Sequence, residues 1–171
     1  MENKNSVYIA MTIDGFIADK KGSVSFLDKY NESSEDYGYS EFSSSVDTVV
    51  MGNNTYKQFA GEKEFIGAYK DMIKYVFTET PGKPKDDFIF TNEDVTEFSK
   101  RLKGHTWLMG GAYLINRFLE KGLIDELIIA VMPEIIGSGI RLFAEIEFSQ
   151  SYKLLSSKNY PDGVVMLHYS K

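Results

Sequence analysis

The 171-residue chain contains no cysteine, two histidines, four prolines and one tryptophan. Without cysteine there is no disulfide framework, no thiolate nucleophile and no cysteine-ligated metal. His105 and His168 stand apart from each other, so neither belongs to a metal-binding spacing such as H-E-x-x-H. These absences argue against a thiol enzyme or a zinc enzyme. We expect both histidines to lie at strand edges, outside any catalytic or metal site.

Positive charge is scarce as well: the chain has 19 Lys and Arg residues but 25 Asp and Glu residues, which gives a formal net charge of −6. Phosphate backbones require a basic footprint, so we expect no nucleic-acid partner and no anionic membrane surface. The most apolar run, at 127–136, is too short to span a bilayer and contains Pro133. The first residues carry no signal-peptide pattern, and we expect a cytoplasmic protein.

What is present is typical of one globular domain over residues 1–171, with 43% hydrophobic and 26% charged residues. Apolar runs predict strands at 7–13, 47–52, 72–78, 87–91, 106–110 and 125–135, and a C-terminal hairpin at 151–160 and 164–170. Helical patterns predict a weak helix over 31–45, a short helix from Asn54, a helix over 92–102 capped by Thr91 with Asp94, and a helix from 111 to near Gly122. Segments 18–31, 60–71 and 81–85 read as loops or irregular stretches. This alternation predicts a mostly parallel sheet covered on both faces by helices, with antiparallel strands at the C-terminal end.

Two predicted strands end in glycine. Gly52 follows TVVM, and Gly110-Gly111 follows TWLM directly before a helix. One explanation is a tight turn alone. The other is the close approach of a ligand, because the unpaired amides in the first turn of a helix hold anions such as phosphate when no side chain intervenes. Residues 111–114 would supply those amides.

Common nucleotide and hydrolase fingerprints are missing. The stretch GSGIRLF at 137–143 begins like G-x-G-x-x-G, but position 142 is Leu. There is no G-x-x-x-x-G-K-[ST] and no G-x-S-x-G. In MGNNTY, Asn53 or Asn54 could simply be an N-cap.

Five motifs occur in a fixed order along the chain: IAMTIDGFIAD, VVMGNNTYKQF, YVFTETPG, LMGGAYLINRFLEKGLIDEL and PEIIGSGIRLF. Together they resemble the dihydrofolate reductase superfamily, and most closely its bacterial branch similar to the C-terminal reductase domain of riboflavin biosynthesis proteins. The resemblance covers nearly the whole chain. It implies a three-layer α/β fold with a mostly parallel central sheet, flanking helices and a C-terminal antiparallel hairpin.

The resemblance also implies a site for a nicotinamide dinucleotide, NADPH or NADH. Ala10 and Ile17 would bind the carboxamide through their backbone groups. The pyrophosphate and adenosine side would be lined by Gly52, Asn53, Asn54 and Thr55, with Phe77 and Thr78 flanking the adenine ribose. The other side of the pyrophosphate would be closed by Gly110, Gly111, Ala112, Tyr113 and Leu114.

The chain departs from the family pattern in two respects: the basic residues expected beside the cofactor and the residues expected to bind and protonate the substrate. Relatives that use NADPH commonly carry Arg after the glycine matching Gly52 and a basic residue near position 79, where this chain has Asn53 and Glu79. A weak or reversed NADPH preference is therefore expected, unless Lys57 or Lys83 compensates. Ala130 stands where folate reductases have Thr. The substrate side would contain the catalytic candidate Asp14, the aromatic wall Phe26, and the acids Asp28, Glu32, Glu35 and Asp36 as loosely placed candidates.

These features predict a reductase that delivers hydride to a C=N or C=O bond of a small heterocyclic or sugar-derived substrate, such as a pterin or an aminopyrimidine. The alternative is a ligand-binding protein that kept the fold and lost turnover, because the Thr is missing and the acid is unplaced. Relatives often pair through the late strand, the GSG turn and the hairpin, so a homodimer is expected. We expect no metal.

Overall fold

The computed structural model describes residues 3–59, 67–82, 85 and 87–171. Eight strands form the main sheet: β1 (Lys4–Thr12), β3 (Thr48–Gly52), β4 (Ile73–Phe77), β5 (Phe88–Thr91), β6 (His105–Gly110), β7 (Glu126–Met132), β9 (Lys153–Asn159) and β10 (Val165–Ser170). A small second sheet pairs β2 (Phe16–Ala18) with β8 (Ile140–Arg141). The helices are α1 (Asp28–Asn31), α2 (Tyr39–Ser44), α3 (Asn53–Phe59), α4 (Val95–Arg101) and α5 (Ala112–Glu120), with a 3₁₀ turn at Ser25–Leu27.

The strand order of the main sheet is β5-β4-β3-β6-β1-β7-β10-β9. The first six strands in this order are parallel, whereas β10 is antiparallel to both β7 and β9. The predicted architecture, a mostly parallel sheet with an antiparallel C-terminal hairpin, is confirmed.

Side chains of the central strands alternate between two apolar layers, as the period of two in a strand requires. On one face, Val50 and Leu108 pack with Phe98 of α4 and Phe118 of α5. On the other face, a second cluster contains Val49, Met51, Trp107 and the α2 residue Phe42, and Tyr56 of α3 packs against it. Both faces of the central strands β3 and β6 are thus buried, which explains why these strands read as continuous apolar runs.

Several predicted boundaries were wrong. Of the helix predicted over 31–45, only α2 and the last residue of α1 are helical, because Tyr37 and Gly38 before α2 have positive φ of 54° and 86°. The rest of α1 lies in the stretch 18–31, which was predicted as a loop. The helix over 92–102 begins only at Val95, since the Asp94 side chain accepts hydrogen bonds from the amides of Thr96 and Glu97 and is the N-cap.

Other predictions were wrong at their ends or fall partly outside the described residues. The late strand stops at Met132, directly before Pro133, which has no amide hydrogen to continue it. His168 lies inside β10, whereas His105 begins β6 as expected. The stretches predicted over 60–71 and 81–85 lie partly outside the described residues, and Lys83 lies there as well.

Candidate functional site

The carboxyl ends of β3 and β6 lie side by side, and the chain leaves them toward opposite faces of the sheet. From β3 it enters α3, whose Tyr56 packs on one face; from β6 it enters α5, whose Ile115 is buried on the other. The next strand after β3 is its neighbour β4, whereas the next after β6 is β7, which lies beyond β1. This divergence is a topological switch point, where open α/β sheets form their ligand crevice.

The three glycines of these strand ends meet at the crevice. A Cβ atom on Gly52 would lie 3.4 Å from the Gly111 amide nitrogen and 3.8 Å from the Gly110 carbonyl oxygen. Gly110 has a φ of 144°, which L-residues rarely adopt, and the Gly110–Gly111 peptide bond is cis. Gly111 has an ordinary φ of −77°. The backbone conformation therefore requires glycine at position 110, whereas at position 111 neither the φ nor a neighbouring atom of the described residues requires it.

The space in front of Gly111 is open. A Cβ atom there would have within 4 Å only Thr55 Oγ1, at 3.5 Å, among the residues that the structure describes. Gly111 is also the N-cap of α5, and in the described chain no side chain caps this helix end. The crevice therefore combines an uncapped helix N-terminus with a cradle that a side chain at position 111 would fill, which is the geometry that binds phosphate.

A groove of about 680 Å³ runs beside the same end of α5. Its helical wall includes Ala112, Tyr113 and Arg117, and Ile140 and Arg141 of β8 line the other side. Tyr113 is 80% exposed. Leu114, in contrast, is buried in the core, so only its backbone borders the crevice; its amide donates to the Gly111 carbonyl.

The α3 side of the crevice is polar and partly exposed. Asn53 and Thr55 are half-buried and Asn54 is exposed. Phe77 is the register partner of Gly52 at the end of β4, but its ring is buried against Phe98 and Phe118. The next residue, Thr78, is half-buried and donates its amide to the Thr91 carbonyl. The structure thus brings the predicted α3 and β4 residues to one edge, with Phe77 contributing backbone only.

β1 and β6 separate at their carboxyl ends. Their ladder pairs only Lys4 to Ser6 with His105 to Trp107, although β1 continues to Thr12 and β6 to Gly110. On its other side β1 is paired with β7 from Ser6 to Thr12, including the pair Ala10 and Ala130. Ile17 of β2 is half-buried and packs against the core. Backbone pairing between β1 and β6 therefore ends early, and Ala10, one of the two residues predicted to bind the carboxamide, lies on the part of β1 beyond it; the other, Ile17, lies on the adjacent β2.

Asp14 occupies the turn after β1 and connects it to the segment before β8. Its carboxylate accepts hydrogen bonds from Thr12 Oγ1 at 2.6 Å and from the Gly137 amide at 2.7 Å, with the Ile136 amide at 3.4 Å. The Thr12 hydroxyl, followed by these amides, holds the pKa of Asp14 below its ordinary value despite desolvation. An ionised carboxylate with these partners favours anchoring of the turn over donation of a proton.

The predicted substrate residues are spread over the surface beyond α1. Phe26 is half-buried and packs against an apolar cluster that contains Ala130 and Met132. Asp28 and Glu32 are exposed. Asp36 is also exposed and accepts from the amides of Gly38 and Ser40 at the start of α2, which lowers its pKa. The structure does not bring these three carboxylates together.

Two polar residues near the site were missed by the sequence reading. The buried Tyr30 donates through its hydroxyl to Glu134 Oε1 at 2.7 Å, and Lys29 forms an ion pair with the same carboxylate. Lys29 and then Tyr30 hold the pKa of Glu134 below its ordinary value. Asn116 of α5 is buried and bonds to the backbone of Leu142 and Ala144. No motif signals either residue, because the hydrogen bonds of Tyr30 to Glu134 and of Asn116 to Leu142 and Ala144 span 26 to 104 positions of the chain.

Within the described ranges, no group of three or more His, Asp or Glu side chains could hold a metal ion. The same residues include no helix that is long and apolar enough to cross a membrane.

The fold and the crevice define a class of α/β protein with an open, glycine-lined strand–helix junction at a switch point of a parallel sheet. A family model described as the RibD C-terminal domain matches residues 6–166, and the chain belongs to this family.

Individual proteins extend this finding. The uncharacterized protein YwjB of Bacillus subtilis (strain 168) is 40% identical over 99% of this chain and 98% of its own length. A solved structure from Shewanella sp. PV-4, described as a riboflavin biosynthesis protein, matches with a TM-score of 0.82 and 28% identity over 98% of each chain. A dihydrofolate reductase of Enterococcus faecalis complexed with NADP(H) shares the fold, with a TM-score of 0.64 and 14% identity over 98% of this chain and 95% of its own.

Proposed function

We propose that this protein is a cytoplasmic NAD(P)H-dependent reductase that transfers hydride to a C=N or C=O bond of a small heterocyclic or sugar-derived substrate. An aminopyrimidine ribotide or a pterin is the substrate class that the family suggests. The observation that carries the proposal is the open space in front of Gly111, bordered by Gly52, Thr55 and the uncapped N-terminus of α5. Membership of the RibD C-terminal domain family supports it.

The residues present fit a dinucleotide. The amides of Gly111, Ala112 and Tyr113 would hold its pyrophosphate, with Thr55 beside them. The unpaired carboxyl ends of β1 and β6 would receive the nicotinamide against the backbone of Ala10 and Ile17. When bound, the reduced nicotinamide supplies the hydride.

The rest of the site would orient the reactants and exclude water. Asp14 holds the turn after β1 against Gly137 and thereby fixes the adjoining β2, which carries Ile17. Phe26 and the segment around α1 would form the substrate side. The proton donor is left to a water or a substrate group, since Asp28, Glu32 and Asp36 are dispersed and exposed.

The same dispersal favours a second candidate, a ligand-binding protein that retains the dinucleotide crevice without turnover. Ala130 supports it, because an alanine provides no hydroxyl at the position where the resemblance leads to a threonine. The two candidates agree on dinucleotide binding and differ on hydride transfer.

The test is a pair of glycine variants. Gly111→Val should abolish binding of NADPH and NADH in calorimetric titration while leaving the thermal unfolding temperature nearly unchanged, because position 111 has an ordinary φ and open space. Gly67→Val is the matched control: Gly67 is exposed, has no positive φ and lies before the amino end of β4, and no atom of the described residues is within 4 Å of a Cβ at this position.

Two results would contradict the proposal. If the wild-type protein binds neither dinucleotide, it is not a reductase of this kind. If Gly111→Val binds the dinucleotides as tightly as the wild type, the crevice is not the binding site. Binding without oxidation of the reduced cofactor on a panel of pteridines, aminopyrimidines and carbonyl compounds would favour the ligand-binding candidate.

We further propose a homodimer that pairs through the C-terminal hairpin. All seven residues of the edge strand β9 are exposed, including Leu154 at 47% and Leu155 at 50%. An exposed edge strand with leucines is a template for pairing, and an isologous contact with a second copy would close it.

A further inference from the structure

NADPH differs from NADH by a phosphate on the adenosine ribose, which needs a positive charge in the protein. The family resemblance leads one to expect that charge at positions 53 and 79, and this chain has no basic residue at either. Position 53 is Asn, a neutral residue, and position 79 is an exposed Glu. The extra phosphate of NADPH, a monoester on the ribose, carries close to two negative charges and is met best by a guanidinium fork. A cation from another element would therefore have to supply that contact.

Arg117 is placed to do so. It lies one turn after Tyr113 on α5, and its guanidinium carbon is 5.9 Å from the Tyr113 ring centroid and 6.0 Å from the Phe77 ring centroid. Phe77 ends β4 and is the register partner of Gly52. The side chain thus extends from α5 toward the end of β4, the side of the crevice to which the adenosine is assigned.

The charge of Arg117 is also available. Among the described residues it takes part in no ion pair, although Glu120 and Glu145 line the same groove. Contact with two aromatic rings orients a guanidinium while leaving its N–H groups able to donate.

The other two arginines are committed elsewhere. Arg101 binds Glu93 through two nitrogens, and Arg141 stacks 4.6 Å from the Phe16 ring centroid on the β2 side of the groove. Lys57 of α3 is exposed, and within the described residues it forms no ion pair or side-chain hydrogen bond that would orient its ammonium group.

We propose that Arg117 is the specificity residue that binds the ribose phosphate of NADPH, so that the protein prefers NADPH over NADH despite Asn53 and Glu79. This inference rests on the proposed function. It reverses the preference that those two positions alone predict.

The experiment measures binding, with no substrate present. Dissociation constants for NADPH, NADH, adenosine 2′,5′-bisphosphate and 5′-AMP are determined by calorimetry for the wild type and for Arg117→Gln, which keeps most of the aliphatic stem. Lys121→Gln, which removes one charge at the opposite end of α5, is the matched control for general electrostatics. Circular dichroism checks that each variant is folded, and Arg117→Lys provides a second variant that keeps the charge without the fork.

Arg117→Gln should weaken binding of NADPH and of the bisphosphate about ten- to a hundredfold, the range for loss of a charge-assisted hydrogen bond. Binding of NADH and 5′-AMP should change less than threefold, Arg117→Lys should fall between wild type and Arg117→Gln, and Lys121→Gln should match the wild type. Equal loss for all ligands, no loss for any, or a wild type without NADPH preference would overturn the inference while the proposed function stands. A wild type that binds neither dinucleotide would instead remove the proposed function, and this inference with it.

Discussion

Replacement of Asn116 by leucine tests how the groove beside α5 is held together. Asn116 Nδ2 donates to the Ala112 carbonyl at 2.7 Å and to the Leu142 carbonyl at 2.8 Å, and its Oδ1 accepts from the Ala144 amide at 3.1 Å. Leucine has a similar volume and can form none of these bonds. The two walls of the groove would then lose their direct polar connection.

The magnitude follows from which partners water can reach. Ala144 is exposed, so water replaces its lost bond at little cost, whereas Leu142 is fully buried and its carbonyl would lose its partner. An unsatisfied buried acceptor costs about 1–3 kcal/mol. For a chain of this length, that corresponds to a fall in melting temperature of about 2–12 °C.

Urea unfolding of Asn116→Leu gives the free energy of unfolding, and hydrogen exchange of the Ala144 amide reports the local effect, which should be faster exchange. Glu120→Leu, the same new side chain at an exposed position of α5, is the control and should change stability by less than about 0.5 kcal/mol. A loss below that level in Asn116→Leu, with unchanged exchange at Ala144, would refute the reasoning.

Two further predictions concern pH and assembly. Burial, and next the charge of Lys4, lower the pKa of His105 in the folded protein. As the pH falls through about 6.5, the unfolded chain therefore binds a proton at this residue before the folded protein does. The free energy of unfolding should decrease from pH 7.5 to pH 5.5 for this reason. His105→Gln should lessen this decrease in urea unfolding; an identical pH dependence would contradict the assignment. Light scattering at micromolar concentration should give a dimer mass for the wild type and a lower mass for the double variant Leu154→Ser with Leu155→Ser; a monomeric wild type would exclude the homodimer.

The parts of the fold that were predicted correctly are those with a strong local pattern. β3 and β6 are short apolar runs ended by glycine, and α5 has a clear apolar face with Leu114, Ile115 and Phe118. The place of the crevice follows from these elements, because the carboxyl ends of parallel strands lie at the same edge of the sheet, and both glycine-ended strands have theirs there. Local pattern was thus sufficient for the backbone of the candidate site.

Long-range partners account for what was missed. The two-residue strand β8 has no recognisable period, and it exists because Phe16 and Ala18 pair with it across more than 120 residues. The predicted role of Asp14 rested on its neighbourhood in the chain, whereas its contacts with Ile136 and Gly137 come from the distant GSG segment. Such pairings are decided by tertiary packing and leave no mark in a single sequence.

The separation of β1 from β6 has a consequence for how this family diverges. In the proposed site, the groups that face the dinucleotide are mainly backbone amides and carbonyls, which every residue type provides. If the site binds a dinucleotide, a side chain along these strand ends can change without loss of those backbone contacts, provided that the core packing of residues such as Met51 and Phe77 is kept and that positions 52, 110 and 111 stay glycine. If substrates bind beside α1 and α2, that surface can vary independently of the backbone groups of the crevice and can suit the same crevice to different substrates.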